Sequence, residues 1–218
     1  MPLPRTLVLA TRNPGKVAEL EARLASLGGP LTLVSAGALP DAPDVDEDAP
    51  TLEGNAEKKA RALAAHTGLP ALADDTGLEV DALGGAPGVR SARFAGPGAD
   101  DAANRAQLLA LLGDRADRAA RFRTVLAYAE PPAAHGPESR AAESRVHFFE
   151  GVCTGRIGTA ERGAGGFGYD ALFVPDEGDG RTFAEMSTAE KNRLSHRGRA
   201  LEAFAAFLAA PAAAPDAP

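Results

Sequence analysis

Cysteine is nearly missing from this chain: Cys153 is the only one in 218 residues. One thiol cannot close an intramolecular disulfide, so nothing in the sequence requires an oxidising compartment, and a cytoplasmic location is expected. Long apolar runs are missing too. The run at residues 7–10 is too short for the core of a signal peptide, and no stretch reaches the roughly 18 consecutive apolar residues that span a bilayer. Positive charge is in deficit, with 23 Lys and Arg against 30 Asp and Glu and a net charge of −7. That excludes a sequence-independent nucleic-acid binder, which needs basic surface to neutralise phosphates, but leaves room for a small polyanion held with a metal ion. The His-x-x-x-His and Cys-x-x-Cys spacings of zinc sites are absent, as is the P-loop spacing. No internal repeat is visible.

What is present is enough for one domain with a buried core, expected over residues 1–208, followed by an Ala- and Pro-rich tail at 209–218 that reads as disordered. The stretch that organises the rest is Leu72-Ala73-Asp74-Asp75-Thr76-Gly77-Leu78. An apolar run over 69–73 reads as a buried strand that opens into a turn at the two aspartates, with a second strand over 78–81. Burying an unpaired carboxylate is costly, so adjacent aspartates beside a core strand imply a metal, basic partners or a cleft. Taken alone, Asp74 to Gly77 reads equally as a polar hairpin turn.

Upstream, a short strand over 6–10 runs through Thr11-Arg12-Asn13-Pro14-Gly15-Lys16 into a helix with Val17, Leu20, Leu24 and Leu27 at helical spacing. Asn13 suits an N-cap and Pro14 the first helical position. A strand entering a helix this way offers free N–H groups, a close backbone approach at Gly15 and the Lys16 charge to an anion, though the same string also fits an ordinary capped helix. A second strand is expected over 31–35. The acidic segment 40–50, with Asp44, Asp46, Glu47 and Asp48, is either a solvated loop or a source of oxygen ligands for a hard cation. A helix over 51–66 carries Lys58, Lys59 and Arg61.

A helix is expected over 101–112, and strands over 122–127 and 146–152 read as sheet neighbours joined by a long loop at 130–145. Gly163-Ala164-Gly165-Gly166-Phe167-Gly168-Tyr169-Asp170 is either a glycine-rich turn with a core aromatic or a loop presenting a flat ring to a ligand. Ser187-Thr188-Ala189-Glu190 matches a capping box. It opens a helical segment with Lys191, and after Ser195-His196-Arg197 an apolar stripe of Leu201, Phe204 and Leu208 continues the helix.

These pieces together resemble the inosine triphosphate pyrophosphatase family, whose members hydrolyse dITP, ITP and XTP to the monophosphate and pyrophosphate. The similarity rests on Thr11 to Lys16, Asn55-Ala56 with Lys59, Ala73 to Leu78, Gly84-Gly85-Ala86-Pro87-Gly88, Gly166 to Asp170, and Glu190-Lys191 with Ser195-His196-Arg197, in family order along nearly the whole chain. It implies a mixed α/β fold with a long twisted central sheet flanked by helices, two lobes around an active-site cleft, and a homodimer. It also implies Mg²⁺ as cofactor and a purine nucleoside triphosphate as substrate, with no nucleic-acid or membrane partner.

By the same resemblance Thr11, Arg12, Asn13, Pro14, Gly15 and Lys16 form the phosphate-binding turn and Lys59 reaches the triphosphate. Asp75 is the general base and a metal ligand, with Asp74 beside it and Thr76 contacting substrate. Glu47 matches the acid that helps hold Mg²⁺, with Asp46 and Asp48 as near neighbours. Phe167, Gly168, Tyr169 and Asp170 correspond to the base pocket, and Lys191, His196 and Arg197 to the residues reading the 6-oxo edge. Where the family commonly has an acid before Asn-Ala, this chain has Gly54. A pyrophosphatase for pyrimidine or modified nucleotides, and a nucleotide-binding protein without turnover, are the competing readings.

Overall fold

The computed structural model describes residues 6–11, 17–18, 20–21, 24, 31–131 and 145–210. Its strands are β1 (Thr6–Leu9), β2 (Thr32–Ser35), β3 (Ala71–Val80), β4 (Pro87–Gly88), β5 (Ala119–Ala129), β6 (Val146–Ile157) and β7 (Phe173–Pro175). Its helices are α1 (Leu52–Thr67), α2 (Asp101–Leu112), α3 (Thr188–Leu194) and α4 (His196–Ala209). The strands form one sheet in the order β2-β1-β3-β5-β6-β7, with β4 beside β3. β1 runs parallel to β2 and β3, whereas β4 and β7 are antiparallel to their neighbours. The fold is therefore mixed α/β, as expected. The 101–112 helix has the expected bounds, and the two strands expected as neighbours are adjacent as β5 and β6.

By contact density the chain divides into two compact units, residues 1–75 with 125–149 and 201–218, and residues 76–124 with 150–200. β3, β5, β6 and α4 each contribute residues to both.

In the first unit Leu7, Val8 and Leu9 are fully buried, as a parallel strand flanked on both sides requires. α1 begins where the Thr51 hydroxyl accepts the Gly54 N–H at 3.1 Å, a cap worth about 1 kcal/mol. It ends at Gly68, whose φ of 67° is the left-handed stop. Leu52, Asn55, Ala56, Ala60, Leu63 and Ala64 make its buried face at helical spacing. Gly54, where the family commonly has an acid, leaves this start intact: a Cβ there would lie 2.8 Å from Ala49 Cβ. Leu20 and Leu24 are buried, consistent with the stripe read for the first helix, whereas the Asn13 and Pro14 start lies outside the described residues. So do residues 132–144 of the long loop and 211–218 of the tail. At the base of that loop Glu130 N–H donates to Arg145 O at 2.9 Å, closing the hairpin.

The second unit packs Leu78, Val80, Leu108, Leu112, Phe122, Phe173 and Phe183 into one apolar cluster. Each such side chain fully removed from water contributes roughly 1.5–3 kcal/mol. Cys153 sits in this cluster, and burial pushes its thiol up to about 11, which keeps it protonated and inert. Of the leucines at the end of α2, Leu108 and Leu112 are buried and Leu111 is exposed.

One local expectation fails. Asp74, Asp75, Thr76 and Gly77 do not form a turn between two strands; they are the middle of the single ten-residue strand β3. Turn-forming residues are extended here because the strand lies inside the sheet, between β1 and β5, so tertiary pairing overrides local preference. Gly77 fits because a Cβ there would lie 2.7 Å from Gly88 O of β4.

Candidate functional site

The first unit holds a cavity of about 360 Å³ whose lining includes Thr11, Asp44, Glu47, Lys59 and Asp74. Thr11 closes one side: its carbonyl accepts the Ser35 hydroxyl at 2.6 Å, tying the end of β1 to the end of β2. Lys59 is the centre of charge. Its ammonium donates to Glu47 Oε1 at 2.6 Å and to the Asp74 carbonyl at 2.7 Å, and it lies 3.8 Å from Asp75 Oδ1. The Lys59 and Asp75 side chains are only 14% and 12% exposed, so this charge cluster is sheltered and its fields are weakly screened.

Asp75 is held from a second direction. Asn55, one helical turn before Lys59 on α1, donates its amide to Asp75 Oδ2 at 3.0 Å and accepts the Ala49 N–H at 2.9 Å. The same side chain thus fixes both the carboxylate and the end of the acidic segment. Among Asp46, Glu47 and Asp48, it is Glu47 that meets Lys59 and lines the cavity. Asp48 instead pairs with Lys58 on the exposed side of α1, which lowers its pKa. The Asp46 carbonyl also accepts from Lys58, at 3.3 Å.

Two carboxylates, Glu47 and Asp75, converge on one ammonium, and carboxylate oxygens are the ligands a hard divalent cation takes. Among the described residues no three His, Cys, Asp or Glu side chains could hold a metal by protein ligands alone. A hard divalent cation can also be held by one or two carboxylates, with water and phosphate oxygens completing its shell. Glu47 and Asp75 are the residues that fit.

The second unit gathers an aromatic and two cations. Phe167 is 54% exposed, unusual for so large an apolar ring. Lys191 Nζ stands 5.0 Å from its ring centroid and the Arg197 guanidinium carbon 5.8 Å, both within cation–π range. Asp170, nearly buried, accepts the Phe167 N–H at 2.9 Å and pairs with Lys191, so one carboxylate sets both the loop and the lysine. A Cβ on Gly166 would lie 2.0 Å from Asp170 Oδ2, and its φ of 73° is left-handed. Tyr169 is buried, not displayed: its hydroxyl donates to Ser91 O at 2.9 Å, and burial raises its pKa. His196 is also buried, stacked on Phe122 at 4.6 Å. Arg197 donates to Thr76 Oγ1 at 3.4 Å, and Thr76 Oγ1 lies 2.7 Å from Thr124 Oγ1.

Of the residues expected in the site, Thr11, Glu47, Lys59 and Asp75 gather in the first unit. Thr76, Phe167, Gly168, Tyr169, Asp170, Lys191, His196 and Arg197 belong to the second. Arg12, Asn13, Pro14, Gly15 and Lys16 lie outside the described residues. Sequence reasoning quoted Asn55 only as part of a motif; its spacing of four from Lys59, which puts both on one helix face, was the signal for a role beside Asp75. Thr124 carried no signal. Gly151 carried none either, yet a Cβ there would lie 1.9 Å from His196 O, so only glycine lets the start of α4 sit this close to β6.

By fold and site, then, this is a mixed α/β protein with a sheltered acid–lysine cavity in one unit and an exposed ring beneath two cations in the other. The chain belongs to the Ham1 family, whose family model matches residues 7–207. It is 52% identical over 198 residues to a dITP/XTP pyrophosphatase of Desulforamulus reducens, covering 90% of this chain and 92% of that protein. It is 49% identical over 200 residues to a dITP/XTP pyrophosphatase of Streptomyces coelicolor, covering 91% and 94%. Among solved structures it is similar to a HAM1 protein from Coxiella burnetii, with a TM-score of 0.81 and 38% identity, covering 93% of this chain and 98% of that one. These findings bear out the resemblance read from the motifs. Among the described residues no helix is long and apolar enough to cross a membrane.

Proposed function

We propose that this protein is a Mg²⁺-dependent hydrolase that converts dITP, ITP and XTP to the monophosphate and pyrophosphate, keeping aberrant purines out of nucleic acid. The observation that carries the reading is the Lys59 ammonium flanked by Glu47 and Asp75, in a chain about half identical to proteins named for this activity.

The chemistry follows from the residue types. Asp75, oriented by the Asn55 amide, positions a water and takes its proton as the water oxygen bonds to the α-phosphorus; the bond to the α–β bridging oxygen breaks and pyrophosphate departs. Lys59 donates to phosphate oxygens, and the Thr11 to Lys16 segment is assigned the same task through its amides and the Lys16 charge. When bound by Glu47 and Asp75, Mg²⁺ supplies neutralisation of the charge that builds on the phosphates.

The Phe167 ring packs against the purine, within the segment that continues through Gly168, Tyr169 and Asp170. Lys191 and Arg197, with His196 packed behind them in the core and Thr76 bonded to Arg197, present donors to the 6-oxo edge. Lysine and arginine only donate, so the amino group of adenine leaves them unpaired at about 1–3 kcal/mol per group. The family resemblance further supports a cytoplasmic homodimer with no nucleic-acid or membrane partner.

The test is product analysis with dITP, XTP, dATP, GTP and dTTP, with and without Mg²⁺. Monophosphate and pyrophosphate from dITP and XTP, only with metal, are expected. Turnover confined to dTTP would favour a pyrimidine enzyme, and binding without products a non-catalytic role; either result overturns the proposal.

A further inference from the structure

The loop that carries Phe167 has glycines at 163, 165, 166 and 168, the conformationally freest residues available, yet it must hold a ring at a defined place. Asp170 secures the N–H of Phe167. On the other side of the ring, both polar groups of residue 168 are taken by α2: Gly168 N–H donates to Asp101 Oδ2 at 2.6 Å, and Arg105 Nη1 donates to Gly168 O at 2.9 Å. Asp101 and Arg105 are four apart on one helix face, which is the spacing that lets two side chains grip a single residue from above and below. Arg105 also pairs with Glu161 at 3.0 Å, joining the start of the loop to the same helix. Gly168 has a φ of 59°, in the left-handed region that favours glycine.

We propose that Asp101 and Arg105 are positioning residues for base recognition, clamping Gly168 so that the Phe167 ring stands ready for the purine. The inference rests on reading the Phe167 group as the base pocket. Both side chains act through the loop, by the peptide groups of Gly168. With the clamp intact the binding energy of the base is not spent on ordering four glycines. Without it, that ordering is charged against substrate affinity, while the acids and lysine that act on the phosphates are untouched. The consequence is a KM effect with kcat preserved at saturation.

Steady-state kinetics with dITP tests this. Asp101→Ala should raise KM about tenfold with kcat within about twofold, the size expected for losing a hydrogen bond to a charged group. Asp101→Asn should return KM to within about threefold of the parent, because its amide oxygen still accepts the Gly168 N–H. Arg105→Lys should raise KM several-fold, since one ammonium cannot replace a guanidinium that serves Glu161 and Gly168 together; it serves as the test if Asp101→Ala does not fold. Phe167→Ala is the reference. If it raises KM while Asp101→Ala and Arg105→Lys leave KM at the parent value, the clamp is refuted and the base-pocket reading stands. If Phe167→Ala itself leaves KM unchanged, the base-pocket reading is refuted and the proposal falls with it. Failure of Asp101→Asn to restore KM would also overturn the clamp.

Discussion

Asn55 holds Asp75 with one end of its amide and the Ala49 backbone with the other, at 3.0 and 2.9 Å. A donor fixed on one carboxylate oxygen orients the carboxylate beside Lys59, and orientation is what a general base needs. Asn55→Ala should lower kcat about tenfold by freeing that carboxylate, whereas Asn55→Asp should do worse, because it puts a second negative charge against Asp75. Equal kcat for the parent and both variants would remove Asn55 from the mechanism.

Asp75→Asn keeps the shape of the site and removes the proton acceptor. Hydrolysis of dITP should fall at least about a hundredfold while dITP binding, followed by calorimetry, is retained. Unchanged turnover would assign the base elsewhere.

Glu47 and Asp48 are adjacent in sequence and opposite in consequence. Glu47→Gln should raise the Mg²⁺ concentration needed for half-maximal activity about tenfold or more, because it removes one of two proposed carboxylate ligands. Asp48→Asn, which breaks only the exposed pair with Lys58, should leave that concentration unchanged. Identical metal curves for the parent and Glu47→Gln would exclude Glu47 as a ligand.

Arg197→Ala should narrow the preference for dITP over dATP about tenfold by removing a donor to the 6-oxo edge. Gly151→Ala should narrow it too, without touching the substrate, since the added carbon must push the start of α4 away from β6. A dITP to dATP ratio that survives both changes would place base reading on other residues.

The start of α3 should be sensitive to acid. Arg181, the largest influence, together with the Ser187 hydroxyl and N–H, lowers Glu190 from 4.5 to about 2. A folded-state pKa below the unfolded value means the contribution to stability is complete above about 4.5 and is lost as pH falls toward 2. Carboxyl-carbon NMR should show a midpoint near 2 in the parent and one moved toward 4.5 in Arg181→Ala. A parent midpoint near 4.5 would show that the capping box does not hold its charge in solution.

Much of this protein is local and therefore readable along the chain. The capping box at Ser187, the helices expected over 51–66 and 101–112, the apolar stripe of α4 and the apolar run of β1 all depend on near neighbours, the range over which spacing patterns carry information. The family followed from short strings in a fixed order. Distance along the chain hid the rest. Asp74 to Gly77 have turn chemistry and form a strand because they sit in the middle of β3, a strand inside the sheet. The sequence left open which ring of the glycine-rich loop is core and which is shown; Tyr169 is the anchored one, through Ser91, far away in sequence. The resemblance matched Glu47 with Asp46 and Asp48 as near neighbours, and only the fold sets Lys59 against Glu47 and Lys58 against Asp48.

The amino-acid sequence by itself determined most of the elements, the family and the inventory of acids, cations and glycines, because each is a matter of residue type and short-range spacing. Which carboxylate meets which ammonium, and which peptide is gripped by which helix, was decided only by tertiary structure. Such pairs join residues ten or more positions apart, and their energies grow where packing excludes water from between them.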